Sequence, residues 1–369
     1  MVEELVRAAG GLLGVRQPEL CVLLASDDLQ ESIAEVALGV YEHICPKAMI
    51  GADRELEGDR AVTLWVGHLP GVHVRAFHFG EGDLDRLGAP PALREHLGVG
   101  AAEDPNFLVL GDPFSAHVMM ETLHAFELTY PGRPVVGGMA SGAEEPRQSA
   151  LVFDGHTLRQ GVCGVALWGN LRVDTVVSQG CRPIGQHYVV TRAEKNVIFT
   201  LGGRPALEVV RDLLGECPPR DRHLAQRRGL LIGCAIDEQR PCFQQGDFLI
   251  RNPLRFIQDN GALEVNHIVR VGQTVQFQVR DEQSADADLA ALLSRQCLAD
   301  AAGSLVFSCN GRGTRLFGEQ HHDARAVWRA AGGRPSAGLF CAGEIGPVGP
   351  RNYLHGHTAS VAFFRPRKD

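Results

Sequence analysis

The sequence has no block of like charges, no C-x-x-C pair, no apolar run long enough to cross a bilayer and no glycine pattern with nucleotide-binding spacing. Each absence excludes something. Thirty-six basic residues against 44 acidic ones leave a formal net charge of −8, and a nucleic-acid groove, which needs a local basic stripe, is not expected. The terminal "RPRKD" reads as a solvated tail. Ten cysteines are scattered singly from Cys21 to Cys341. That spacing supports neither a disulfide framework nor a cysteine zinc site, so they read mainly as small buried hydrophobes. Met1 is not followed by the basic flank and apolar stretch of a signal peptide, so neither membrane nor export is expected and a cytoplasmic protein is. "GGRPALE" and "VVGGMASG" lack the spacing of a P-loop or a dinucleotide fingerprint, so no nucleotide is implied.

What is present is an ordinary globular composition, 44% hydrophobic and 22% charged over 369 residues, long enough for two domains. "LCVLLAS" reads as a strand, with Asp27 and Asp28 placed to cap a helix on which Ile33, Val36, Ala37, Val40 and Ile44 recur at helical spacing. "NFLVLGDPF" is another strand, running through Asp112-Pro113 into a helix that carries Ala116, Met119, Leu123 and Phe126. "GGRPALEVVRDLLG" predicts a helix ending at Gly215. Val271, Val275, Phe277 and Val279 alternate with polar residues as in a half-buried antiparallel strand. Pro218-Pro219 stand in a short polar stretch, residues 217–228, read as a linker between domains 1–216 and 229–369. The class expected is α+β, each domain a mainly antiparallel or mixed sheet covered by helices. Strand, polar turn, helix, "GRP", apolar strand and glycine bend occur in that order in residues 106–142 and again from "SLVFSCNGRG" onward, which reads as an internal duplication.

The unusual chemistry gathers near the C-terminus, in "CNGRG" and "CAGEIGPVGPRNYLHGHT". Arg312, held between two glycines, offers a planar fork suited to a carboxylate, either a ligand's or that of Glu344. His355 and His357 stand two apart, which on a strand would put both rings on one face. A metal could be drawn from them with Glu344, or with His321, His322 and Asp323, but no third ligand has a diagnostic spacing and no metal is assigned. Cys309 with His355 or His357 as base makes a thiol nucleophile conceivable, although the surrounding text matches no motif of known mechanism.

Six stretches in order, including "GDPFSAHVMMETLHAFELTYPGRPVVGGMASGA", "GLLIGCAID", "FSCNGRG" and "FCAGEIGPVGPRNYLHGHTASVAFF", resemble the FIST family over nearly the whole chain, N-terminal and C-terminal domains both. The resemblance implies a small-ligand-sensing module of the kind found in bacterial signalling proteins and some F-box proteins, proposed to bind small molecules such as amino acids. In the matching motifs Arg312 would hold the carboxylate and Glu344 the amine, with Asn310, His355 and His357 lining the pocket. Two departures stand out. The loop after Ile50-Gly51 is short, and His187 stands where a proline is more usual. Because some members are haem-binding nitric-oxide sensors, His187 is an alternative haem ligand.

The expectation is therefore a stand-alone ligand-binding protein with no chemistry and no cofactor of its own. No output domain or F-box is recognisable, so it would signal through a separate protein partner. An enzyme using Cys309 is the second reading and a recruitment scaffold the third.

Overall fold

The computed structural model of the chain describes residues 2–26, 29, 32–54 and 61–367. Two compact units are present, one made of Met1–Val177 with Ala291–Asp369 and the other of Ser178–Ala290. Both combine helices with antiparallel or mixed sheets, so the protein is α+β. The chain passes between units at residues 177–178 and 290–291 rather than at the expected linker. Residues 217–228 are instead largely helical, from Pro219 to Arg228. Ala225 of that helix is buried in the core of the second unit and Asp221 pairs with Arg182, so Pro218-Pro219 start a helix instead of a break.

One plan is used three times in the first unit. A strand, a helix and a second strand parallel to the first form each copy, and an antiparallel strand pairs with the first strand's other edge. The copies are Leu20–Ser26, Ile33–Ile44 and Ala48–Arg54 with Val62–Gly67; Asn106–Gly111, Ala116–Thr129 and Val135–Met139 with Val162–Gly169; and Gly303–Cys309, His322–Ala330 and Ser336–Cys341 with Thr358–Arg365. The two segments that read as a duplication are the second and third copies, and the first copy shares their plan.

A packing constraint repeats with the plan. Gly51, Gly137 and Gly338 each lie opposite the fourth residue of the partner strand, Leu23, Val109 and Val306. A Cβ at these glycines would come within 2.1, 1.7 and 2.1 Å of those residues' carbonyl oxygens. No side chain fits there.

All three copies turn one sheet face into a shared core, to which Val22, Ile50, Leu108, Val136, Phe307 and Leu339 belong. The opposite faces of the first two are covered by their helices: Val36 and Val40 pack with Cys21 and Leu23, and Phe126 stacks on Phe107 with ring centroids 4.2 Å apart. Each such buried aromatic ring contributes about 1.5–3 kcal/mol. Asp27 and Asp28, expected to cap the first helix, lie outside the described residues.

Two hairpins link the copies. Leu151–Phe153 with His156–Leu158 extends the sheet of the first copy, and Glu344–Val348 with Arg351–His355 extends that of the second. The second hairpin follows directly from the third copy's last parallel strand, and it carries Glu344 and His355 to the seam between copies two and three.

The second unit is an antiparallel sheet in which the long strand Cys181–Glu194 pairs with Thr274–Arg280 on one side and Val197–Leu201 on the other. No described helix is long and apolar enough to cross a membrane.

Candidate functional site

The strand Gly303–Cys309 is buried along its whole length. At its end the Asn310 N–H donates to the Cys341 carbonyl at 2.9 Å and the Arg312 N–H to the Cys309 carbonyl at 2.8 Å, a tight turn that doubles the chain back. Gly313 completes it at φ 57°, ψ −139°, a conformation a Cβ would oppose. The turn drives Arg312 inward, where its side chain is 1% exposed.

Arg312 finds its partner eleven residues on, at the first turn of the helix His322–Ala330. Its Nε donates to Asp323 Oδ2 at 2.7 Å and its Nη2 to Asp323 Oδ1 at 2.9 Å. Ser308 Oγ donates to the same carboxylate, and the His322 ring stands 3.2 Å away. Burial would raise the Asp323 carboxyl, but the charge and hydrogen bonds of Arg312, helped by His322 and Ser308, hold it well below the usual range. The guanidinium also lies over the Phe317 ring at 5.2 Å, and Phe317 stacks on His322. Glu344, the protein partner considered for Arg312 from the sequence, does not hold its fork. Asp323 occupies that edge in full, and only Nη1 is left without a hydrogen-bond partner.

Glu344 opens the hairpin and is completely buried. Its Oε2 accepts from the Thr358 N–H at 3.0 Å and the Thr358 hydroxyl at 2.8 Å, while Oε1 has no hydrogen-bond partner. Burial pushes the carboxyl up to about 8, against the opposing effects of Thr358, the Arg312 charge and the Cys309 thiol. At neutral pH Glu344 is therefore mostly a carboxylic acid.

Cys309, Arg312 and Glu344 thus act on one another inside the fold. The Gly311 N–H points at the Cys309 sulfur, 3.4 Å away, and Asn310 Oδ1 is 3.8 Å from it. Asn310 and Gly311 are half-buried. Cys341 lies beside Cys309 in register on the neighbouring parallel strand.

His355 faces Glu344 across the hairpin. Its Nε2 is 3.0 Å from the Gly346 carbonyl, which places a proton on that nitrogen. The expectation that His355 and His357 share a strand face is corrected. The strand ends at His355, and His357 sits two residues on in a left-handed turn, φ 63°.

Among the described residues no three His, Cys, Asp or Glu side chains are grouped to hold a metal ion. Asp323 is committed to Arg312, His322 to Phe317, and His321 is exposed. His187, the alternative haem ligand, lies in the second unit, exposed on its strand with its ring edge-on to Phe243 at 5.6 Å.

Sequence reasoning missed the pairing of Asp323 and a cavity of about 400 Å³ beside it, lined by Ser308, Asp323, Trp328, Gly338 and Phe340 among others. A charged residue at the start of an amphipathic helix reads as an ordinary first-turn acid, and nothing in its spacing marks it as buried.

A family model described as the FIST N domain matches residues 47–204, and one described as the FIST C domain matches residues 206–347. An uncharacterized protein of Mycobacterium bovis is 39% identical over 97% of this chain and 94% of its own length. An uncharacterized protein of Mycobacterium tuberculosis is 40% identical over 94% of this chain and 91% of its own. A crystal structure of cyanuric acid hydrolase from A. caulinodans aligns over 98% of this chain and 94% of that one with a TM-score of 0.38 and 10% identity, too weak a likeness to argue from.

Proposed function

Since the chain belongs to the FIST family, we propose that it is a ligand-binding protein that takes up an amino acid or a related small carboxylate and passes the signal to a separate protein partner. The observation that carries this reading is a pair of buried, unsatisfied polar atoms, the donor Arg312 Nη1 and Glu344 Oε1, which becomes an acceptor once the carboxyl ionises. Leaving such atoms unpaired costs about 1–3 kcal/mol each, more where charge is involved, and a ligand that satisfies both recovers that cost. A carboxylate oxygen accepts from Arg312 Nη1, through one hydrogen bond because the fork is committed to Asp323.

The amine goes to Glu344. With its carboxyl at about 8, ionising it at pH 7 costs about 1.4 kcal/mol. An ammonium group held at hydrogen-bond distance outweighs that cost, and the proton is released to solvent. The half-buried turn at Asn310 and Gly311 and the turn at His357 part to admit the ligand. That displacement supplies two states for a partner to distinguish.

Thermal unfolding against a panel of amino acids and small carboxylates tests the reading. A ligand at about a hundred times its Kd adds about 2.7 kcal/mol, and a selective rise in Tm is expected. A flat panel would sink it.

A further inference from the structure

Three features converge on one sulfur atom. Cys309 is 7% exposed, at the mouth of a strand whose other residues are covered. The Gly311 N–H is directed at its sulfur from 3.4 Å, and the Arg312 guanidinium lies close enough for the two groups to influence each other. Glu344, wholly buried, brings a carboxyl group to the thiol with one oxygen unsatisfied. A donor and a positive charge are what a developing sulfur anion needs, and a neutral acid is what a departing oxygen needs.

A second thiol completes the arrangement. Cys341 occupies the register position beside Cys309 on the adjacent parallel strand, and its side chain is fully buried. Neighbouring strands are about 4.8 Å apart, inside the Cα separation of roughly 4.4–6.8 Å that a disulfide spans. Both are reduced in this structure.

We propose that Cys309 is a peroxide-reactive thiol and Cys341 its resolving partner, so that hydrogen peroxide or a small organic hydroperoxide closes a disulfide between the two parallel strands. In the first step the Cys309 sulfur attacks one peroxide oxygen. The S–O bond forms, the O–O bond breaks, and sulfur is oxidised to sulfenic acid as the peroxide is reduced. Glu344 donates its proton to the departing oxygen, giving water or an alcohol, and recovers the proton that the thiol loses. In the second step the Cys341 sulfur attacks the sulfenic sulfur, the disulfide forms and water leaves. This inference does not depend on the identity of any ligand.

Peptide mapping of the full chain after graded hydrogen peroxide, with reduced thiols alkylated under denaturing conditions, tests it. Cys45, Cys242 and Cys297, all exposed, serve as internal controls. The expected result is a Cys309–Cys341 linked peptide at peroxide levels that leave those three reduced. The Cys341→Ser variant, or Cys341→Ala if serine is not tolerated, is expected to accumulate Cys309 sulfenic acid that a dimedone probe captures. Glu344→Gln is expected to slow the wild-type step roughly a hundredfold, the usual scale of general-acid assistance. Oxidation of the exposed cysteines first, with Cys309 still alkylatable, would overturn the proposal.

Discussion

Arg312 and Asp323 form a bidentate ion pair buried from solvent, with N–O distances of 2.7 and 2.9 Å. The pair ties the turn after the strand Gly303–Cys309 to the first turn of the following helix. It also decides what Arg312 has left to offer.

Breaking that pair leaves an uncompensated buried charge. Arg312→Ala and Asp323→Asn should each lose about 3–5 kcal/mol of stability in urea unfolding. Arg312→Lys should recover little, because an ammonium cannot reproduce the fork. Losses below about 1 kcal/mol would mean the pair is not held as described. Asp323 is depressed in the folded state, so its contribution is present above the unfolded carboxyl value of about 3.9 and disappears as pH falls through the folded one.

Glu344 has the opposite sign. Between about 4.3, the unfolded value, and about 8 in the fold, the folded protein holds a proton that the unfolded chain has lost. Stability therefore falls as pH rises through that window. Wild type should lose several kcal/mol between pH 5 and pH 8 relative to Glu344→Gln, measured by chemical denaturation at each pH. Parallel profiles would refute the raised carboxyl.

The three glycines make a separate claim. Alanine at Gly137 or Gly338 would bring a Cβ to 1.7 or 2.1 Å from a carbonyl oxygen, so each substitution should cost about 3 kcal/mol or more. Gly14→Ala, whose Cβ meets nothing within 4 Å, is the comparison; its left-handed φ of 62° should cost only about 1 kcal/mol. Equal thermal shifts for the two sites would contradict the close approach of the strands.

How much of this was legible in the sequence depends on what kind of information each feature carries. The strand Leu20–Ser26 and the helix Ile33–Ile44 announce themselves through apolar period, and the α+β class follows from such segments. The linker at 217–228 misled because proline and charge look alike in a loop and in the first turn of a helix, and the burial of Ala225 and the pairing of Asp221 with Arg182 separate them. The first copy of the repeat was hidden because its signature is a backbone contact at Gly51, and glycine there reads as an ordinary strand residue. At the site, "CNGRG" and "CAGEIG" draw attention to Arg312 and Glu344, and both side chains are buried. Their partners were not readable, since Asp323 and Thr358 meet them only through the turn at Gly313 and the hairpin Glu344–His355.

The measurement that bears most directly on the proposed function is a calorimetric titration of wild type and Glu344→Gln with the amino acid that raises the unfolding temperature most. It is run at pH 7 in two buffers of unlike ionisation enthalpy, so that protons exchanged on binding can be counted. Release of nearly one proton by wild type, and at least about tenfold weaker binding without release by the variant, is predicted from a carboxyl that ionises against a ligand's ammonium group. Equal affinity in the two proteins, with no proton exchanged by either, would place the ligand elsewhere and contradict the account.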